Sequence, residues 1–240
     1  MKTEYNINLN ALKLGFRSSI VLSCLTLITF ALAMMAIPPS GPYCPGNCME
    51  YPYSDSLAYF PRDYYWIFFA LFQLITYLIF MISIHFITPS EKKIYSYIAV
   101  VFSIIASGIL LSDYFIQFSV VPISLMKGET DGIALISQYN GHGIFIAMEE
   151  LGYLIMSLSF LFLSPVFNRT SALERAIRWC LPAPFILMIA AFAYYTVRYG
   201  LDRNYRFEVA AISINWLALI ILGVLMAFIY KRELNKLDHK

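Results

Sequence analysis

The chain has 240 residues, 60% of them hydrophobic and only 13% charged, with a formal net charge of +2. Soluble domains run nearer about 45–50% apolar and about 25% charged, so lipid is expected to be part of this protein's solvent. The small net charge excludes a strongly electrostatic nucleic-acid binder, and with neither an internal repeat nor a low-complexity tract the chain reads as one transmembrane domain over 1–240.

The first apolar run, 18–37, follows Lys13 and Arg17 and ends in "ALAMMA" before Pro38-Pro39. That arrangement has something of a signal peptide. However, the run is about 20 residues, beyond the about 7–15 of a signal-peptide core, so an uncleaved helix is expected. Cleavage would leave five spans and move the new N-terminus outside.

The loop 38–63 contains "GPYCPGNCMEYPYSDSLAYFPRD". Cys44 and Cys48 flank Pro-Gly-Asn, a turn sequence that brings their side chains together, and outside the cytoplasm such a pair tends to oxidise. A redox or metal-binding pair is the sharper alternative. Thioredoxin-type chemistry uses a two-residue spacer rather than three, and zinc would want two further ligands that no nearby histidine supplies. Cys24 and Cys180 read as small buried hydrophobes.

Five further runs are long enough to cross a bilayer as helix: 64–87, 94–121, 143–166, 177–197 and 209–230. Pro89, Pro122 and Pro165 mark their ends. The 143–166 run is the weakest, because Glu149 and Glu150 sit in its first third. Strands exposed to lipid are excluded, since an open sheet leaves backbone groups unpaired in hydrocarbon. The expected fold is therefore an all-α polytopic membrane bundle of six transmembrane helices.

Orientation follows from the basic residues. Lys2, Lys13, Arg17, Lys92, Lys93, Arg169, Arg175, Arg178, Lys231, Arg232, Lys236 and Lys240 share one side, twelve in all, against five (Arg62, Lys127, Arg198, Arg203, Arg206) on the other. Both termini are expected in the cytoplasm, and the expected location is a cell membrane, the inner membrane of a prokaryote, crossed by a multi-pass chain. Tyr64, Tyr65 and Trp66 would suit the outer interface, and Tyr95, Trp179 and Tyr230 the inner one.

Polar residues inside these runs mark the candidate site. At 1.5 Å per residue, Asp113 lies roughly 12 Å below the outer end of its helix, Glu149 and Asn215 about 9 Å, and Gln73 about 13 Å. Asp113 and Gln117, four apart, share a helix face, as do His142, Glu149 and Tyr153. Arg198, Arg203 and Arg206 break the charge bias, which makes sense if one or more reach Asp113, Glu149 or Glu150. A lone carboxylate at mid-bilayer costs on the order of 2.5–3.5 kcal/mol, so these groups should be paired, protonated or wet. An outward-opening polar cavity is one expectation, and a buried network fixing helix register is the other.

No cofactor or metal is implied. His85 and His142 fall at opposite ends of their spans, against a two-histidine haem. "NRT" at 168–170 lies on the expected cytoplasmic side and is discounted as a glycosylation site. "SIIASG" (103–108) supplies small residues for close helix packing. Walker A, HExxH, GxSxG and GxGD patterns are missing.

The stretches "SDYFIQFSVVP", "GETDGIALISQYNGHGIFIAMEELGYLIMSLSFLFLSPVF", "GPYCPGNCMEYPY" and "FPRDYYW" resemble small prokaryotic multi-pass membrane proteins of uncharacterised families. The resemblance covers the loop and the middle third. It implies a helical membrane fold and carries no activity. The expected partners are the bilayer and a small amphipathic ligand or another membrane protein, with no nucleic acid. The leading expectation is a binding, sensing or accessory protein. The alternatives are an acid–base enzyme on a lipid-like substrate, a transporter, and a purely structural subunit.

Overall fold

Seven-residue spacing runs through the buried faces of four helices. In α3 (Lys93–Ser119) the buried set includes Ser96, Ala99, Ser103, Ala106, Leu110, Asp113 and Gln117, a step of three then four residues throughout. In α1 (Leu9–Met35) it includes Leu12, Gly15, Ser19, Leu22, Thr26 and Thr29 at the same steps. The corresponding positions in α2 (Tyr65–Ile87) are Ile67, Ala70, Leu74, Tyr77, Met81 and Ile84. In α6 (Ile144–Leu163) they are Phe145, Glu149, Gly152, Met156, Ser159 and Leu163. This is the seam of left-handed helix packing, written largely in small and polar residues, while Phe72, Phe115, Ile104, Leu217 and Phe228 are exposed. Small residues let backbones approach, as they do where helices pack without a hydrophobic drive between them.

The computed structural model describes residues 9–36 and 39–238. Ile37 and Pro38, where the expected first span ends and the loop begins, lie outside the described residues, as do Lys2 and Lys240. Among the described residues there is helix and no strand, and six helical segments are long and apolar enough to cross a membrane. The order continues through α4 (Val121–Met126), α5 (Ile133–Ile136), α7 (Ala172–Cys180), α8 (Ala183–Tyr199) and α9 (Tyr205–Asp238).

The element ends follow local chemistry. Thr88, before Pro89, is extended at φ −74°, ψ 131°, as proline demands of its predecessor, and α2 stops there. Pro122 has no N–H for the Phe118 carbonyl, so the helix breaks after Ser119 and resumes as α4. The fifth predicted span, 177–197, is divided at Leu181-Pro182. Its first part belongs to α7, which begins at Ala172, five residues before the expected span. The Ser171 hydroxyl caps α7 by accepting from the Glu174 amide. α1 starts nine residues before the expected span, at Leu9, and α9 begins four before, at Tyr205.

α1 packs on α2 and α9, and α3 on α6, while α8 is peripheral with only Pro184 and Met188 buried. α1 and α9 run antiparallel, Gly15 against the Tyr230 ring and Phe30 against Trp216 at 6.0 Å. A Cβ on Gly15 would stand 2.2 Å from Tyr230, and one on Gly223 would stand 2.2 Å from Ser23 Oγ. The Ser23 hydroxyl donates across this seam to the Ile220 carbonyl at 3.1 Å. Tyr64 and Tyr230, expected at the interfaces, are instead fully buried, whereas Tyr65, Tyr95 and Trp179 are exposed.

One end of the bundle holds the cysteine loop. Cys44 and Cys48 stand at disulfide distance, with Cα atoms 5.9 Å apart. The Ser40 hydroxyl donates to the Tyr139 carbonyl at 2.8 Å and meets the Tyr205 hydroxyl at 2.8 Å, tying three connections together. At the other end Lys92 donates to the Val166 carbonyl at 3.0 Å, and Arg232 pairs with Glu174 at 3.1 Å.

Candidate functional site

Trp216, Tyr153, Tyr114 and Glu149 form a directed hydrogen-bond chain in the core. Indole N–H can only donate, and Trp216 Nε1 donates to the Tyr153 hydroxyl at 2.8 Å. Tyr114 donates to Glu149 Oε1 at 2.7 Å, which leaves Tyr153 as donor to Tyr114 at 2.8 Å. All three polar hydrogens therefore point toward one carboxyl group. Such a chain polarises cooperatively, and each member is almost wholly buried.

Glu149 also has an acidic neighbour. Its carboxyl meets that of Glu208, on the first turn of α9, side chain to side chain. Neither Oε2 has a partner of good hydrogen-bond geometry. Asp113 lies within electrostatic reach of Glu149, and its Oδ2 is likewise unpartnered.

Glu208 also lines two adjoining cavities that share Tyr43, Trp66 and Val209 as common wall. One, of about 160 Å³, is bounded by polar groups of the loop end: Ser40, Asp63, Gln138, Tyr139 and Tyr205. The other, of about 360 Å³, lies between α1 and α9 and is lined by Phe30, Ala33, Met34, Ile212 and Trp216. Tyr139 donates to Asp63 Oδ2 at 3.3 Å, and Arg62 donates to Asp63 Oδ1 at 2.6 Å, so this carboxylate is already neutralised. Burial, followed by neighbouring Tyr64 and Asp63, holds the Tyr139 phenol well above its ordinary value and keeps it a donor.

The residues singled out from sequence are divided by the structure into three groups. Asp113 and Glu149 are both buried in the core, within electrostatic reach of each other. His142, Glu150 and Arg203 line a separate surface depression of about 420 Å³, where Arg203 Nη2 reaches Glu150 Oε2 at 3.8 Å. The remainder are engaged locally or stand apart. Gln117 accepts from the Gln138 amide at 3.0 Å and donates to the Tyr64 hydroxyl at 3.3 Å, clamping the 133–143 segment onto α3. Asn215 donates to its own helix at Ala211, and its Oδ1 is unpartnered, as is Gln73 Oε1. Arg198 stacks on the Tyr199 ring at 5.5 Å and Arg206 on the same ring at 4.2 Å, so neither reaches the carboxylates.

Glu208 is the residue that sequence reading missed. The expected sixth span began at 209, which assigned Glu208 to a polar loop with Arg203 and Arg206. Its signal was available: it stands seven residues before Asn215, on the same helix face. Among the described residues no three His, Cys, Asp or Glu side chains group as metal ligands. Compared with known protein families, curated proteins and solved structures, the chain matches none.

Proposed function

We propose that this chain is a multi-pass protein of a cell membrane, of the prokaryotic inner-membrane kind, that binds a small amphipathic ligand in a cavity opening near its outer face. The observation that carries the reading is the pair of chambers, one polar and one apolar, that meet at Glu208. A polar head beside a greasy lobe is the shape of a site for an amphiphile. The exposed faces of the bundle are its more apolar ones, which suits hydrocarbon surroundings. The twelve-to-five division of basic residues supports cytoplasmic termini and an outer cysteine loop.

Two experiments test this. A cysteine at Glu129 (Glu129→Cys) should react with a membrane-impermeant maleimide added to intact cells, and one at Arg175 (Arg175→Cys) should not. The opposite pattern inverts the topology. In phosphatidylcholine nanodiscs, 1-octanol should raise the unfolding temperature of the wild type. Ala33→Trp, which fills the apolar chamber, should remove that response while retaining helical circular dichroism. No response in the wild type defeats the reading.

The touching carboxyls of Glu149 and Glu208 favour a second reading, acid–base chemistry on a lipid-like substrate, because paired carboxyls divide acid and base roles between them. An altered lipid profile in a deletion strain, restored by wild type and not by Glu149→Gln, distinguishes it from simple binding.

A further inference from the structure

We propose that the amphiphile is a cation, a primary alkylammonium whose head sits at Glu208 between the two chambers. The inference rests on the binding reading above and specifies its ligand chemistry.

Consider first what the head of the ligand would meet. Glu208 and Glu149 are at least nine-tenths buried, their carboxyls touch, and Oε2 of each lacks a partner. An unpaired buried acceptor is costly, and Glu208, which lines both cavities with Glu149 set against it, calls for donors. The arginines of this end are committed elsewhere: Arg62 to Asp63, Arg203 to Glu150, Arg206 and Arg198 to the Tyr199 ring. Among the described residues, this end therefore offers acceptors with no ion-paired cation to answer them. A primary ammonium carries one positive charge and three donors, enough for both Oε2 atoms and one further acceptor.

The surrounding walls discriminate among cations. A hard metal ion wants about six to eight oxygens at short range. The walls shared by the two chambers are instead aromatic, with Trp66 and Tyr43 beside Glu208. Indole and phenol faces attract alkylammonium groups, and the attraction grows when the group is desolvated. Trp66 sits 6.2 Å from Trp216 and 5.3 Å from Tyr114, so the aromatic wall is continuous with the chain that ends on Glu149.

The remaining question is where the rest of such a molecule goes. The apolar chamber runs from Glu208 along α1 and α9, past Ile212 and Ala33, to the Phe30–Trp216 contact. Met34 and Val209 on its wall are exposed, so an alkyl chain has a lateral way in. An anion would set negative charge against buried carboxyl oxygens, and no basic side chain lines either chamber to meet it.

The test compares octylammonium, 1-octanol and octanoate, which share a chain length and differ in head charge. Binding is followed by tryptophan fluorescence in neutral phosphatidylcholine nanodiscs at pH 7, in a Trp179→Phe background that leaves Trp66 and Trp216 as reporters. Octylammonium should bind at least tenfold more tightly than 1-octanol, and octanoate more weakly than both. Glu208→Gln should erase most of the preference for the cation, leaving 1-octanol affinity within about threefold of wild type. Retained 1-octanol binding also shows that the variant is folded, and Glu149→Gln provides a second variant with the same expectation. Equal affinities for octylammonium and 1-octanol, or a cation preference that survives both substitutions, overturns the cation while leaving the amphiphile site intact. If none of the three binds the wild type, the site itself falls with it.

Discussion

The Tyr114 hydroxyl donates to Glu149 Oε1 at 2.7 Å, and the two hydrogen bonds behind it are directed the same way. Tyr114→Phe leaves a buried carboxyl oxygen without a donor and strands the Tyr153 hydroxyl. The expected loss is about 1–3 kcal/mol of unfolding free energy. Trp216→Phe removes only the far end of the chain and should cost less than Tyr114→Phe. The two unfolding curves in detergent check the order, and the reverse order would mean that packing at Trp216 outweighs the chain.

Gly15 faces the Tyr230 ring with no room for a Cβ, whereas a Cβ on Gly108 meets open space. Gly15→Val should therefore push α1 from α9 and cost about 1–3 kcal/mol, as overpacking does. Gly108→Ala should be neutral or stabilise by up to about 1 kcal/mol, since it only reduces backbone freedom in a helix. Similar behaviour of the two variants would show that the α1–α9 seam is looser than its geometry implies.

Arg203 and Glu150 approach to 3.8 Å with about a fifth of each side chain exposed. A rim pair of this kind is worth little, so a double-mutant cycle with Arg203→Ala and Glu150→Gln should give a coupling of about 1 kcal/mol or less. A coupling several times larger would place the pair out of reach of water.

The Cys44–Cys48 link closes a short loop, for which chain entropy alone gives about 2 kcal/mol. Cys44→Ser with Cys48→Ser should lower stability by no more than that. Alkylation and mass measurement of the intact wild-type protein should find this pair protected, and two alkylated thiols in that loop would show that the link is not formed.

Tyr139 is held neutral by burial and by its neighbours Tyr64 and Asp63. With its folded value raised above the unfolded one, its contribution is complete below about pH 10 and is lost as pH rises further. Wild type should therefore be ahead of Tyr139→Phe at neutral pH, with the gap narrowing above about pH 10. Unfolding free energies from pH 7 to 11 measure that gap, and a constant gap would indicate a phenol that water reaches.

Most of the architecture was legible because a helix crossing hydrocarbon must be a long apolar run, and Pro89 and Pro122 stop such runs at visible places. What escaped notice has a common cause. Hydropathy ranks a segment by its average, so the first turn of α9, carrying Arg203, Arg206 and Glu208 nearby, was given to a loop although Glu208 packs inside. Tyrosine is equally ambiguous: Tyr65 is exposed, while Tyr64, next to it, is buried against Gln117. The three–four spacing of small and polar residues in α1 and α3 was the better guide to the interior, since in this bundle the buried faces are not the greasiest ones.

The seam between α1 and α9 also sets an order of events during synthesis. The Ser23–Ile220 hydrogen bond joins residues 197 positions apart. At translation rates of about 5–20 residues per second, α1 waits on the order of 10–40 s after Ser23 is made for Ile220 of α9 to emerge. It is equipped for the delay: Ser19, Thr26 and Thr29 donate to carbonyls of their own helix at 2.7–2.8 Å and leave no hydroxyl begging for a partner. A nascent chain built this way can hold α1 in readiness until α9 arrives.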